Sequence, residues 1–164
     1  MTEGSQSGGA TQAPMINFSR PDLSQHPPRS ARVRLGGFAQ LPRLLDKARA
    51  LAAGTIGPYD YPAMMDSQFF DFTGIDADAI LSRVKSGASD AEMLQWVREN
   101  MNPKRQPHEI AQWSAWLETF GAHTAKGHEW LGARMKECGP GRDDVQSYCE
   151  HLDIDDYTSY GGKM

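Results

Sequence analysis

Arg43, Asp46, Lys47 and Arg49 crowd into one short stretch. Two guanidinium groups and an ammonium so close together can hold a carboxylate or a phosphate, and the carboxylate among them can orient the cations. Arg43 and Lys47 stand four apart with like charge, mildly unfavourable alone and favourable when an anion lies across both. Asp46 is three residues from each arginine and can pair with either. Exposed pairs of this kind contribute about 0.2–0.5 kcal/mol each. The set therefore reads as a solvated helix face, as a structural network of intramolecular ion pairs, or as a binding site. Arg29 in the segment before it and Tyr59 in the segment after it complete the candidate ligand-binding group.

The element that must position these charges is a helix beginning at Leu41. Leu41, Leu44, Leu45, Ala48, Leu51 and Ala52 recur at three- and four-residue steps and predict one buried face. Pro42 suits a first turn, where its missing N–H has no partner to lose, and Gly54 supplies the stop. Gly57-Pro58-Tyr59-Asp60-Tyr61-Pro62 forbids a regular helix and predicts an ordered loop over about 54–66, a natural place for a pocket beside the charged helix.

Further helices follow from caps and periodicity. Asp66 is expected to cap a short helix ending at Gly74, and Asp76 one over Ala77 to Lys85 with Ile80, Leu81 and Val84 inward. Ser89 and Glu92 have capping-box spacing, and Asn102-Pro103 ends the helix they start. Pro107 opens a helix whose Ile110, Trp113, Trp116, Leu117 and Phe120 read as core rather than as a stacking platform. Residues 124–137 form a weaker helix, since Gly127 and Gly132 each cost about 1 kcal/mol relative to alanine. After the Gly139-Pro140-Gly141 break, Asp143 or Asp144 is expected to cap a last helix that buries Val145, Tyr148, Cys149 and Leu152. These elements predict a single all-α domain of about six helices over residues 26–156. A polar, Gly- and Ser-rich tail, 1–25, is expected to be disordered, with Met15, Ile16 and Phe18 as an apolar island, and 157–164 to fray.

With 164 residues, 39% of them apolar, and four Trp, the chain suits one domain with one core. A net charge of −4 argues against nucleic-acid binding, which needs a concentrated basic surface. The charge is uneven: residues 1–40 hold four arginines against two acids, and 137–164 hold seven acids against Arg142 and Lys163. The simplest consequence is that the two ends attract each other or point at different neighbours. No apolar run approaches the roughly 20 residues of a membrane helix, and no secretory signal opens the chain, so a cytoplasmic protein is expected.

The histidines His26, His108, His123, His128 and His151, with Cys138 and Cys149, invite a metal reading. His123 and His128 are five apart and diverge on a helix, and Cys149 and His151 are two apart, so chain spacing predicts no metal site, leaving only one assembled across helices. Asp153, Asp155 and Asp156 lack the glycine and closing glutamate of a calcium loop. There is no nucleophile elbow, phosphate-cradling glycine loop or paired-cysteine redox motif, and both thiols are expected to be buried and inert.

Several stretches share a pattern: Pro27-Pro28-Arg29-Ser30, Leu35-Gly36-Gly37, Leu41-Pro42-Arg43, Asp46-Lys47-Ala48-Arg49-Ala50 with Gly54, Gly57 with Tyr59, Asp66 with Phe69, Asp71-Phe72, Gly74-Ile75-Asp76, Trp96-Val97, Ile110 with Trp113, Trp116-Leu117, Gly141-Arg142-Asp143-Asp144-Val145 and Leu152-Asp153. Over roughly residues 26–156 this set resembles the family called domain of unknown function 5069. Tyr148 departs from it, standing where the pattern has tryptophan. The resemblance implies no activity, cofactor or catalytic residue. The residues themselves lead to a binding module in which Arg29, Arg43, Lys47, Arg49 and Tyr59 hold an anionic small molecule or an acidic partner segment, with Asp46 orienting the cations. The alternatives are an enzyme on a small carboxylated or phosphorylated substrate, with Asp46 or Asp66 as acid–base group, and a structural or assembly protein.

Overall fold

The apolar stripe of the first helix determines how the others assemble. The computed structural model describes residues 17–164, and among these every regular element is a helix. They are α1 Leu41–Ala53, α2 Met64–Thr73, α3 Ala77–Lys85, α4 Asp90–Asn100, α5 Pro107–Thr119, α6 Ala125–Cys138 and α7 Tyr148–Ser159. The all-α expectation holds, with seven helices in place of about six.

Leu41, Leu44, Leu45 and Ala48 of α1 pack with Phe38, Phe69, Ile80, Val84, Met93, Val97 and Ile110 into the first of two apolar clusters. Side chains such as these contribute roughly 1.5–3 kcal/mol each on full burial. The second cluster joins Ala39 and Met65 to Leu117, Leu131, Met135, Tyr148 and Cys149, which ties α5, α6 and α7 together. Trp113 bridges the two, stacked on Phe72 at 4.6 Å with the rings 8° from parallel. Leu51 and Ala52 are exposed, because the last turn of α1 runs past the core.

The caps explain most boundaries. The Asp76 carboxylate accepts from Ala79 N, and Ser89 and Glu92 form their reciprocal box. Two expectations need correction. Helix α2 begins two residues before Asp66, whose carboxylate instead accepts Ala63 N–H from inside the first turn. Helix α7 is capped by Ser147, reciprocated by Glu150, so neither Asp143 nor Asp144 caps it; Asp144 pairs with Arg142.

The aromatic stripes are also less buried than their spacing suggests. Trp116 is 44% and Trp130 45% exposed, because a helix lodged between two neighbours buries a narrower sector than its apolar residues span. At the chain ends, Met15 and Ile16 lie outside the described residues. Leu23 is fully buried, its N–H donating to Thr55 O and its carbonyl accepting from Tyr160 Oη. The chain is thus already part of the fold at Leu23, and α7 continues to Ser159 where fraying was expected. The attraction between the basic start and the acidic end is realised: Arg32 meets Glu150 and Asp153, and Ser30 donates to Asp153.

Two glycines in the left-handed region test this packing against bare backbone preference. Gly74 has φ +68°, and a Cβ there would lie 2.1 Å from Asn102 O, whereas Gly87 has φ +81° with open space around it. Gly87→Ala is expected to lower stability by about 1–2 kcal/mol, the backbone term alone. Gly74→Ala should lose about 3 kcal/mol or more, since the segment at Asn102 must move. Urea unfolding midpoints of the two variants check the order.

Candidate functional site

Arg43, Asp46, Lys47 and Arg49 do not form a solvated face. They are 2%, 1%, 3% and 8% exposed, and every residue from Leu41 to Ala50 is buried. Charges can be buried only when paired and hydrogen-bonded, and each finds a partner far away in the chain.

Arg29 grips Asp46 through Nε and Nη2 at 2.9 and 2.8 Å, and its own N–H donates to the same carboxylate at 2.9 Å. Its Nη1 donates to Asp90 at 2.6 Å, and Arg49 reaches the other Asp90 oxygen at 2.7 Å. Asp46 and Asp90 thus bind Arg29 and Arg49 into one group joining the 26–30 segment, α1 and α4. Asp46 is 4.0 Å from Arg49 and forms no close pair with Arg43, so the expected intrahelical pairing gives way to long-range partners. Burial disfavours the Asp90 charge, but hydrogen bonds from Arg29 and Arg49 outweigh it and hold the carboxyl below its ordinary range.

The other half of the network faces the loop after α1. Arg43 donates to both oxygens of Asp156 at 2.6 and 3.2 Å, and Tyr59 Oη donates to Asp156 at 2.7 Å. The Arg43 guanidinium also lies 5.5 Å from the centre of the Tyr59 ring. Lys47 donates to Asp66 at 2.5 Å and to Asp60 O at 3.1 Å, while Gln40 Nε2 donates to the second Asp66 oxygen at 2.8 Å. Burial lowers the Lys47 pKa despite the opposing Asp66 charge. Burial and the Asp156 carboxylate together raise that of Tyr59. Gln40, just before α1, holds φ +65°, a left-handed conformation unusual outside glycine. Its N–H to Ala31 O, at 2.8 Å, and its side-chain bond to Asp66 keep it there.

A cavity of about 350 Å³ opens against this second half. Arg43, Lys47, Gln40 and Tyr59 line it, with Met64, Trp130, Arg134, His151 and Asp155 opposite or beside them. Asp66 and Asp156, which neutralise the two cations, are not among its lining residues. Gln40 Oε1 and His151 Nε2 are buried with no hydrogen-bond partner among the described residues.

Of the six sequence candidates, Arg43, Lys47 and Tyr59 therefore reach the cavity. Arg29 and Asp46 do not, and Arg49 with Asp90 borders a separate hollow of about 250 Å³ near Val84 and Gly87. Asp46 and Asp66 have their oxygens occupied by Arg29, Lys47, Gln40 and backbone donors. Sequence reasoning missed Gln40, Asp90, Trp130, His151 and Asp156. The acid-rich C-terminal stretch was the one signal pointing to Asp156. Donors that could hold a metal ion, Cys138, His151 and Asp155, lie beside the cavity on α6 and α7. Burial pushes the other thiol, Cys149, up to about 11.

Residues 25–158 match the family described as a domain of unknown function (DUF5069). No curated protein matches the chain.

Asp90 supplies a pH test of the network. A carboxylate held below its unfolded value contributes stability that is full above that value and lost as pH falls through the folded one. Thermal melts between pH 7 and about pH 3 should show that Asp90→Asn is less stable than the parent at neutral pH and loses less on acidification. Parallel acid limbs for the two proteins would remove Asp90 from the network's energetics.

Proposed function

Since the chain belongs to the domain of unknown function 5069 family, whose description carries no activity, we propose from its own geometry that it is a small-molecule-binding module. Its ligand enters the cavity between α1, the segment after it, α6 and α7 with an anionic end against Arg43 and Lys47.

The observation that carries this reading is the sidedness of the ion pairs. The cations are among the residues lining the cavity, and the carboxylates that neutralise them are not. Lys47 uses two of the three donors an ammonium carries, which leaves one for a ligand. Gln40 Oε1 is buried at the cavity wall without a partner among the described residues, so a ligand bearing a hydroxyl or amine beside its anionic group would satisfy both once the wall opens to admit it. Met64, Met65, Leu152 and Trp130 supply apolar wall for the remainder, as ligand cavities require. The acids that do line the cavity, exposed Asp60 and half-buried Asp155, favour a ligand of one or two charges over a polyanion. Concavity supports a small molecule rather than an acidic protein segment, which would meet an open patch.

Met64 permits a test that leaves the network intact, because it lines the cavity and is half exposed. A panel of small hydroxy- and amino-substituted carboxylates and phosphate monoesters, followed by calorimetry, should yield a saturable ligand. For that ligand Met64→Lys should tighten binding and Met64→Glu loosen it, each by roughly 3–10-fold. Stability should lean the other way, since Met64 opens α2 and an acid is favoured at a helix start. Failure of every panel member at millimolar concentration, or the reverse order for the two variants, would overturn the reading.

A further inference from the structure

Cys138 is the last residue of α6, and His151 and Asp155 stand four apart on α7, where that spacing puts both side chains on one face. The thiol sulfur, one imidazole nitrogen and one carboxylate oxygen all lie within 4.8 Å of one another. We propose that Cys138, His151 and Asp155 form a transition-metal site suited to Zn2+, with three protein donors and a fourth position open towards the cavity.

The chemistry of the donor set selects the ion. Sulfur and imidazole nitrogen exclude calcium and magnesium, which take oxygen, and a mixed sulfur, nitrogen and oxygen set suits zinc. Zinc bonds of about 2.3 Å to sulfur and 2.0–2.1 Å to nitrogen and oxygen put tetrahedral donors about 3.3–3.6 Å apart. The three atoms therefore need to close by at most about 1.5 Å, within reach of side-chain rotation. A thiolate and a carboxylate together neutralise a divalent cation, which makes the assembly compatible with partial burial.

A separate observation points to a missing partner. His151 is 5% exposed, and its Nε2 has no hydrogen-bond partner among the described residues. Buried polar atoms left in that condition are rare, and a bound ion is one of the accepted reasons for them. His151 and Asp155 line the cavity while Cys138 does not, so the fourth coordination position faces that space. Three protein ligands and one open position is the arrangement of zinc sites that bind water or substrate, whereas structural sites are closed by four. The site stands on these donors alone and does not depend on an anion occupying the cavity.

The test uses the full chain, stripped with a chelator and titrated with Co2+ as spectroscopic probe and with Zn2+ in competition against a chromophoric chelator. One equivalent of Co2+ should bind with the intense visible bands of a tetrahedral ion and a thiolate-to-cobalt charge-transfer band. Cys138→Ser should abolish the charge-transfer band and weaken Zn2+ binding by more than the roughly 10–100-fold that losing even an outer-shell partner costs. Asp155→Asn, at a half-buried position, should weaken Zn2+ while keeping the thiolate band, and it carries the test if Cys138→Ser fails to fold. Cys149→Ser should change neither, since that thiol is buried against Leu117 O. Absence of stoichiometric binding by the parent overturns the site. So does adventitious binding only, in which the metal is held equally by the parent, Cys138→Ser and Asp155→Asn.

Discussion

Four cations, Arg29, Arg43, Lys47 and Arg49, can be enclosed around one helix only if an equal number of carboxylates is enclosed with them, because an unpaired charge costs several kcal/mol to bury. Asp46, Asp66, Asp90 and Asp156 supply that balance. One comes from α1 itself, and the others are carried by α2, α4 and α7. Helix α1 is consequently tied by ion pairs to three other helices and, through Arg29, to the segment before it. Apolar packing brings the helices together, but it is non-directional. The charge pairs have fixed partners and fixed geometry, so they define the register in which α2, α4 and α7 meet α1.

That register places the cavity. Lys47 is held by Asp66 at the start of α2 and Arg43 by Asp156 late in α7, and these grips fix the two residues at the wall of the space that Tyr59, Trp130 and His151 border. Helix α7 also carries His151, five residues before Asp156 and on a different face, beside Cys138 of α6. The cavity and the Cys138–His151–Asp155 cluster thus share a wall and depend on how α7 docks. The other half of the network, Arg29, Asp46, Arg49 and Asp90, has no part in that cavity and serves the docking of α4.

The sequence was informative where the physics is local. The α1 stripe, the Asp76 cap and the Ser89–Glu92 box act over a few residues and were readable as such. The Ser147–Glu150 box has the same spacing and was equally readable, yet the aspartates nearer the glycine break drew the cap to the wrong place. The charged face of α1 was left open between solvent, ion pairs and a site because solvated and buried charges look identical in sequence; what distinguishes them is a partner 17 to 113 residues away. The Cys138–His151–Asp155 group escaped for the same reason, since α6 contributes one donor and α7 two. Trp116 and Trp130 show the converse limit, because periodicity marks a face without saying how wide a sector the neighbours cover.

The most direct measurement of the network's role is a double-mutant cycle on its most buried arginine pair, Arg43 and Asp156, using Arg43→Met, Asp156→Leu and the two together in urea unfolding. Each single variant leaves a charge enclosed without its partner and should lose about 3–5 kcal/mol. The double variant should lose far less than the sum, with a coupling of about 2–3 kcal/mol. Additive losses, or single variants within about 0.5 kcal/mol of the parent, would mean that α7 docks on α1 without this pair and that the register has another origin.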